Sequence, residues 1–329
     1  MMNWYKDIKT ILADEPESWL AYLHGQQLHN RPLLTQLKPR YTGISLQIAK
    51  FFAKLVRDFR LIRSPKFMPA TFFVFADTAN QLNALEQTLH SLTRQNQKPL
   101  IVVNGEHKHI QANDLQYTPF KLNLMDVLRT LFLFSKRGMS LYKTGKEKHP
   151  VSVKWYFAHF CSVYTYLSYF YRVLAEAKPE FVLTANDHNI PHRCLLAVAH
   201  HMGIKTVYMQ HASVSNIFPA LRVNYAFLDG QCALDTYMEC ERNQPDTNRD
   251  VPTPTVILSG QKKHIKRLKS KDVNNRIGVA LNALDDAQAG IDFIDSLVKH
   301  GFDVRLRWHP AQSLSVTQKY RAAFSGNAH

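Results

Sequence analysis

At 329 residues, 45% of them hydrophobic and 20% charged, the chain is long enough to bury a large core and fits two folded domains better than one. Its formal net charge of +15 attracts anions such as nucleic acid, anionic lipid or phosphorylated sugar donors; with no zinc-finger spacing, RNP-like strand or helix-turn-helix, nucleic acid is not expected as a partner. The four cysteines (Cys161, Cys194, Cys232, Cys240) form no C-x-x-C pair, and no uninterrupted apolar run follows a basic segment at the N-terminus. A reducing cytoplasm is the expected compartment.

Positive charge gathers early, with nine Lys or Arg in residues 31–66 against the single acid Asp58. Within that stretch Ile44–Ile62 reads as a basic amphipathic helix, placing Ile48, Phe52, Leu55, Phe59 and Ile62 on one face and Lys50, Lys54 and Arg57 opposite. Such a helix either covers its own domain or lies peripherally on an anionic membrane face. A strand over Thr71–Asp77, a helix over Ala79–Gln95 and a strand over Leu100–Gly105 follow. Phe120–Tyr142 is a second amphipathic candidate, carrying Leu122, Met125, Leu128, Leu131, Phe132 and Phe134 ahead of Lys136 and Arg137. Charges interrupt both helices, so neither is expected to span a bilayer. Residues 151–174 are dense in aromatics, but Lys154, His159 and the Tyr hydroxyls favour a core helix over a lipid-buried one.

From there strands and helices alternate. Strands are expected at Phe181–Asp187, Thr206–His211, Tyr225–Gly230, Thr255–Gly260, Arg276–Asn282 and Phe302–Trp308, and helices at His192–Met202, Ala233–Arg242 and Ala287–His300. This is the signature of α/β architecture with doubly wound parallel sheets. The Pro-punctuated stretch Asn243–Pro254 is the best linker, dividing an N-terminal domain (1–250) from a C-terminal one (251–329). With only three strands, the second is expected to be an incomplete domain.

Open α/β sheets bind ligands outside the carboxyl ends of their strands, so polar residues there are the site candidates. Asp187 lies in Asn186-Asp187-His188-Asn189, either orienting ligand hydroxyls or, with Asn189, capping the following helix. Gln210-His211 and Asp229-Gly230 end the next two strands; His211 and Asp229 are each as readily structural as catalytic, and Gln210 joins Asp187 as an acceptor-orienting candidate. Gly260 leads into Lys262 and Lys263, a phosphate grip or a solvated basic turn. His309-Pro310 ends the last strand. His188 and His192 at four-residue spacing lack the third ligand of a zinc site. No G-x-G-x-x-G, Walker loop or D-x-D pair occurs, so neither a metal nor a tightly bound cofactor is expected, and a nucleotide would rest on basic groups, amides and helix ends.

The segment Gln210–Gly230 (QHASVSNIFPALRVNYAFLDG), with His309-Pro310, resembles bacterial GT-B-type glycosyltransferases of capsule and surface-polysaccharide synthesis, the polysialyltransferase-like, Kdo-transferase-like and polyol-phosphate-polymerase-like proteins. The likeness runs from about Phe181 to His309. Asp229-Gly230 matches the last two positions of an acid-acid-Gly motif whose first acid is Leu228 here. His211 matches a His-Gly motif whose glycine is Ala212 here, and His309-Pro310 matches in full. The resemblance implies two Rossmann-like domains, His211 or Asp229 as base, and His309, Pro310, Gly260, Lys262 and Lys263 around the nucleotide. It further implies a CMP- or UDP-linked donor and a glycan or lipid-linked acceptor. A polyol-phosphate or sugar-phosphate transferase of the same architecture, and a non-catalytic membrane-peripheral scaffold, are the alternatives. The Ser-rich turn that follows the His-Pro in those enzymes is missing, since Ser313, Ser315 and Ser325 are scattered, and truncation with loss of catalysis is the corresponding expectation.

Overall fold

The computed structural model describes residues 4–23, 43–60, 67–104, 115–216, 218–242, 253–260, 275–282, 285–309 and 312–325. The chain divides into two compact units, the second following Lys262. The first opens with α1 (Trp4–Asp14), α2 (Glu17–Leu20) and α3 (Ile44–Asp58). Then come β1 (Phe72–Ala76), α4 (Ala79–Arg94), β2 (Leu100–Val103), β3 (Tyr117–Pro119), α5 (Leu124–Lys148) and α6 (Pro150–Ala177). It ends with β4 (Phe181–Thr184), α7 (Ile190–His201), β5 (Lys205–Met209), β6 (Tyr225–Leu228), α8 (Gln231–Arg242) and β7 (Thr255–Leu258).

These seven strands form one parallel sheet in the order β3-β2-β1-β4-β5-β6-β7. Its middle strands are apolar runs, FFVFA in β1 and FVLT in β4, because helices cover both faces and neither face meets water. The strand order reverses between β1 and β4. That is the switch point of a doubly wound α/β sheet, where the loops diverge and leave a crevice.

The aromatic segment is a core helix. Twenty of the 28 residues of α6 are buried, as a helix apolar on all sides must be. Its ladder breaks at Tyr156, whose φ of −133° lies outside the helical range. The groups freed there are met from outside: Gly43 N–H donates to the Lys154 carbonyl at 3.1 Å, and Ala158 N–H donates to Gln47 Oε1 at 3.3 Å. α5 opens with a capping box between Asn123 and Asp126, and the same Asp126 carboxylate accepts Arg172 Nε at 2.9 Å and Nη2 at 2.7 Å from α6. Near their junction the two helices touch so closely that a Cβ on Gly145 would lie 2.4 Å from Val153 Cγ2.

Two expectations are corrected here. The buried face of α3 carries Gln47, Phe51, Leu55 and Asp58, rotated from the stripe through Ile48, Phe52 and Phe59. Gln47 and Asp58 are buried because both are hydrogen-bonded, Asp58 by Lys54 and Arg57. The strand Thr255–Leu258 belongs to the first sheet, paired along β6 from Tyr225↔Thr255 to Leu228↔Leu258, so the first unit continues past residue 250. Residues 243–252 of the expected linker lie outside the described residues.

The second unit is a β–α–β segment with one more helix: β8 (Arg276–Ala280), α9 (Ala287–Lys299), β9 (Asp303–Arg307) and α10 (Leu314–Ala323), with β8 and β9 parallel. Among the described residues its buried side chains are Leu281, Ile294 and Tyr320. Tyr320 meets the Trp308 ring edge-on at 5.4 Å. Its hydroxyl sits where a Cβ on Gly290 would be, at 2.0 Å, so α10 seats against α9 at a point only glycine leaves open. Ser313 caps α10, accepting from Val316 N–H at 3.3 Å.

Candidate functional site

Because β4, β5, β6 and β7 are neighbours running the same way, the residues after them, Asp187, Gln210-His211, Asp229 and Gly260, lie along one edge of the first sheet. His309 follows β9 in the second unit and is exposed. Lys262, Lys263 and Pro310 lie outside the described residues.

The β4–α7 loop is built around Asn186, whose Oδ1 accepts from His188 N–H at 3.0 Å and Asn189 N–H at 2.8 Å. Asn186 thus shapes the loop, while Asn189 at the N-cap position makes no side-chain cap bond. The buried Asp187 carboxylate is held from two sides: Tyr237 Oη of α8 donates to Oδ2 at 2.9 Å, and His188 Nδ1 lies 3.1 Å from Oδ1. A carboxylate only accepts, so Nδ1 carries a proton, and in the neutral ring the lone pair is therefore on Nε2. The His188 side chain is 21% exposed against 3% for Asp187. Its ring stacks on Phe218 at 4.1 Å and faces Tyr22 at 6.2 Å. Behind Asp187, the Tyr208 and Tyr237 hydroxyls are 3.0 Å apart. Burial first, and then the Asp187 charge, push both phenols well above their usual range, so they remain protonated donors.

The next strand ends are tied together. Gln210 N–H donates to the Phe227 carbonyl at 2.9 Å, and Gln210 Oε1 accepts from Asp229 N–H at 2.9 Å. Gly230, which completes the Asp-Gly pair, has no positive φ and open space at its Cβ position; its carbonyl starts α8 by accepting from Ala233 N–H at 3.1 Å. Gly260 does sit at a positive φ of 71°, a conformation that favours glycine.

His192 is fully buried in α7 with its ring 5.1 Å from Phe75. Burial, then His188 and His211, hold it well below the usual histidine range, offset in part by the Phe75 backbone. It is a neutral core residue. Among the described residues no three His, Cys, Asp or Glu side chains converge as metal ligands. Across the switch point, Asn104 Nδ2 donates to Asp77 Oδ1 at 2.6 Å and to Tyr166 Oη at 3.2 Å. The β1–α4 turn is closed by Thr78, which accepts from Gln81 N–H, in place of the glycines that admit a pyrophosphate in dinucleotide folds.

Sequence reasoning placed Asp187, Gln210, His211 and Asp229 on one edge, and the sheet brings them there. It considered His188 only as a metal ligand and missed Tyr208 and Tyr237. The adjacency Asp187-His188 at a strand end was the available signal for the pair; nothing local announces a tyrosine fifty residues on in another helix.

The fold and this edge define a doubly wound α/β protein with an Asp–His pair at the carboxyl end of its sheet. No protein-family model and no curated protein matches the chain. Among solved structures it is similar to a Listeria monocytogenes protein described as a "putative UDP-N-acetylglucosamine 2-epimerase", at TM-score 0.45 and 10% identity over 79% of this chain and 68% of that one. A likeness this distant says nothing about chemistry.

Proposed function

We propose that the chain is a glycosyltransferase of surface-polysaccharide type, moving a sugar from a nucleotide-activated donor to a hydroxyl of a glycan or lipid-linked acceptor. The observation that carries this reading is the Asp187–His188 pair: a buried carboxylate, pinned by Tyr237, that fixes the neutral tautomer of an imidazole one-fifth exposed at the carboxyl end of the sheet. In the reaction the acceptor oxygen attacks the anomeric carbon as its proton passes to His188 Nε2. The bond from that carbon to the nucleotide phosphate breaks, and the phosphate leaves with the electron pair. His211 and Asp229, beside this pair on the same edge, are assigned to the sugar and acceptor hydroxyls. Gly260, on the same edge, is assigned to the leaving nucleotide, whose growing negative charge needs cations and amides; Lys262, Lys263, His309 and Pro310 stay nucleotide-site candidates on the sequence alone.

Thermal-shift titration of the purified chain with CMP, CDP, UDP and UTP at fixed salt comes first, since a ligand bound only by the folded chain raises its melting temperature. A selective rise with one nucleotide is expected, reduced in His309→Ala. Turnover of the corresponding sugar donor is then expected to fall about 10²–10⁴-fold in His188→Ala with the melting temperature unchanged. If His188→Ala retains activity and His211→Ala loses it, the base is His211. If no nucleotide shifts the melting temperature, the transferase reading is abandoned for a binding role.

A further inference from the structure

The outward side of α5 is more apolar than the side it packs inward. Its buried positions are Asp126, Thr130, Leu133, Gly138, Leu141 and Gly145. Leu124, Met125, Leu128, Phe132 and Met139 instead stand 62, 50, 50, 39 and 65% exposed. At about 100° of rotation per residue these five fall within one arc of roughly a third of the helix circumference. The exposed Lys136, Lys143 and Lys146 extend that arc toward the helix C-terminus. Of the two acids in α5, Asp126 is buried against Arg172 and Glu147 lies at the C-terminal end.

α3 lies beside α5 through Phe134, whose ring is 5.1 Å from Phe51 and 5.7 Å from Phe52, and it repeats the pattern. Leu46 and Val56 are 49 and 74% exposed, in company with exposed Lys50 and Arg57. The one acid of α3, Asp58, is buried.

Scattered apolar side chains are ordinary on a protein surface, but a one-sided apolar arc edged by cations matches a helix lying in a lipid headgroup layer. We infer that α5, with α3 alongside, docks the chain on an anionic lipid bilayer, Leu128 and Phe132 entering the acyl boundary while Lys136, Lys143 and Lys146 lie among the headgroups. The sign of the charge selects anionic lipid over neutral, and the long lysine stems reach headgroups while their apolar neighbours are buried. No helix among the described residues is long and apolar enough to cross a membrane, so the contact is with the surface.

Flotation of the full chain with vesicles tests this, using phosphatidylcholine alone and equal parts phosphatidylcholine and phosphatidylglycerol. Binding is expected on the mixed vesicles and at least about tenfold weaker on the neutral ones. Replacing Lys136, Lys143 and Lys146 together by Gln is expected to weaken binding on the order of a hundredfold at low salt. The double variant Leu128→Glu/Phe132→Glu is expected to abolish binding; because Phe132 also meets Tyr5 edge-on at 5.0 Å, Met125→Glu/Leu128→Glu, at two positions 50% exposed, is the second variant, expected to abolish binding with an unchanged circular-dichroism melt. Leu314→Glu, at an 81% exposed position of the second unit, is expected to bind as the parent does. Failure to bind the mixed vesicles, or undiminished binding by the Leu128→Glu/Phe132→Glu variant, overturns the inference. So does a dimer in light scattering that this variant dissolves, which would assign the face to a second copy of the chain.

Discussion

In the first unit β1 is dry on both faces, with Phe73, Val74, Phe75 and Ala76 all at 0% exposure. In the second, β9 alternates half-buried Val304 and Leu306 with exposed Asp303, Arg305 and Arg307. A strand covered on two sides has to be apolar throughout, and one covered on a single side has to alternate; FFVFA and DVRLR are those two solutions. The same strand–helix–strand arrangement is thereby stabilised differently. The first unit rests on a deep core with buried, fully paired polar groups such as Asp126 and Arg172. The second, among the described residues, shows three buried side chains and the close seat of Tyr320 on Gly290. Substitutions are therefore expected to cost most where a charge is enclosed, and to act locally where the core is thin.

The largest effect is expected from Arg172→Ala, which strands the Asp126 carboxylate in the core and costs about 3–5 kcal/mol. Urea unfolding followed by tryptophan fluorescence checks it, and the comparison fails if Arg172→Ala unfolds at the parental midpoint. Acid comes next. His200, half-buried near the end of α7 with Nε2 3.1 Å from Thr206 Oγ1, is held down to about 4 by loss of water around its ring. The unfolded chain therefore takes up a proton near the ordinary 6.5 that the folded chain refuses. This contribution to stability is whole above about pH 6.5 and is lost as pH falls toward 4, at most on the order of 3 kcal/mol. His192 acts in the same direction. Urea titrations at about pH 7 and about pH 5 give the slope, expected to vanish in part with His200→Gln.

Gly290→Ala comes third, since its Cβ collides with the Tyr320 hydroxyl, at a cost of about 1–3 kcal/mol. Hydrogen exchange is expected to accelerate in α9, α10 and β9 while β1 and β4 keep their protection; equal loss in both units would show that they unfold together. Arg276→Ala ranks last. Its pair with Asp303, 2.7 Å long, joins side chains 53 and 50% exposed, where water and salt screen the attraction, and no measurable change in stability is expected.

Most of the sheet was legible because its strands are short β-branched or aromatic runs ending in polar residues, and eight of them stand close to where the pattern puts them. β3 escaped since Tyr117–Pro119 is three residues long and contains proline, tolerable only at a sheet edge. The face of α3 was misjudged for a different reason. Periodicity counts Gln47 and Asp58 as outward, but hydrogen bonds from α6 and from neighbouring cations make them buried partners. The site divides along the same line. Asp187, Gln210 and Asp229 could be placed from their strand ends alone, whereas the tautomer of His188 depends on Asp187, and Asp187 in turn on Tyr237, contacts that exist only after α8 has folded back over β4.

The pairing of β1 with β4 also bears on how the chain is made. The two strands are neighbours in the middle of the sheet, yet about a hundred residues, including all of α5 and α6, separate them in sequence, a long-range contact of the slow-forming kind. At ordinary rates of synthesis, β1 waits roughly 5–20 s for its partner. Through that interval a wholly apolar strand presents a bare edge, the situation in which nascent chains aggregate or engage chaperones. α6, whose Phe170 packs edge-on against Phe73 and Phe75, precedes β4 in the chain, so one face of β1 can be walled in before its edge is paired.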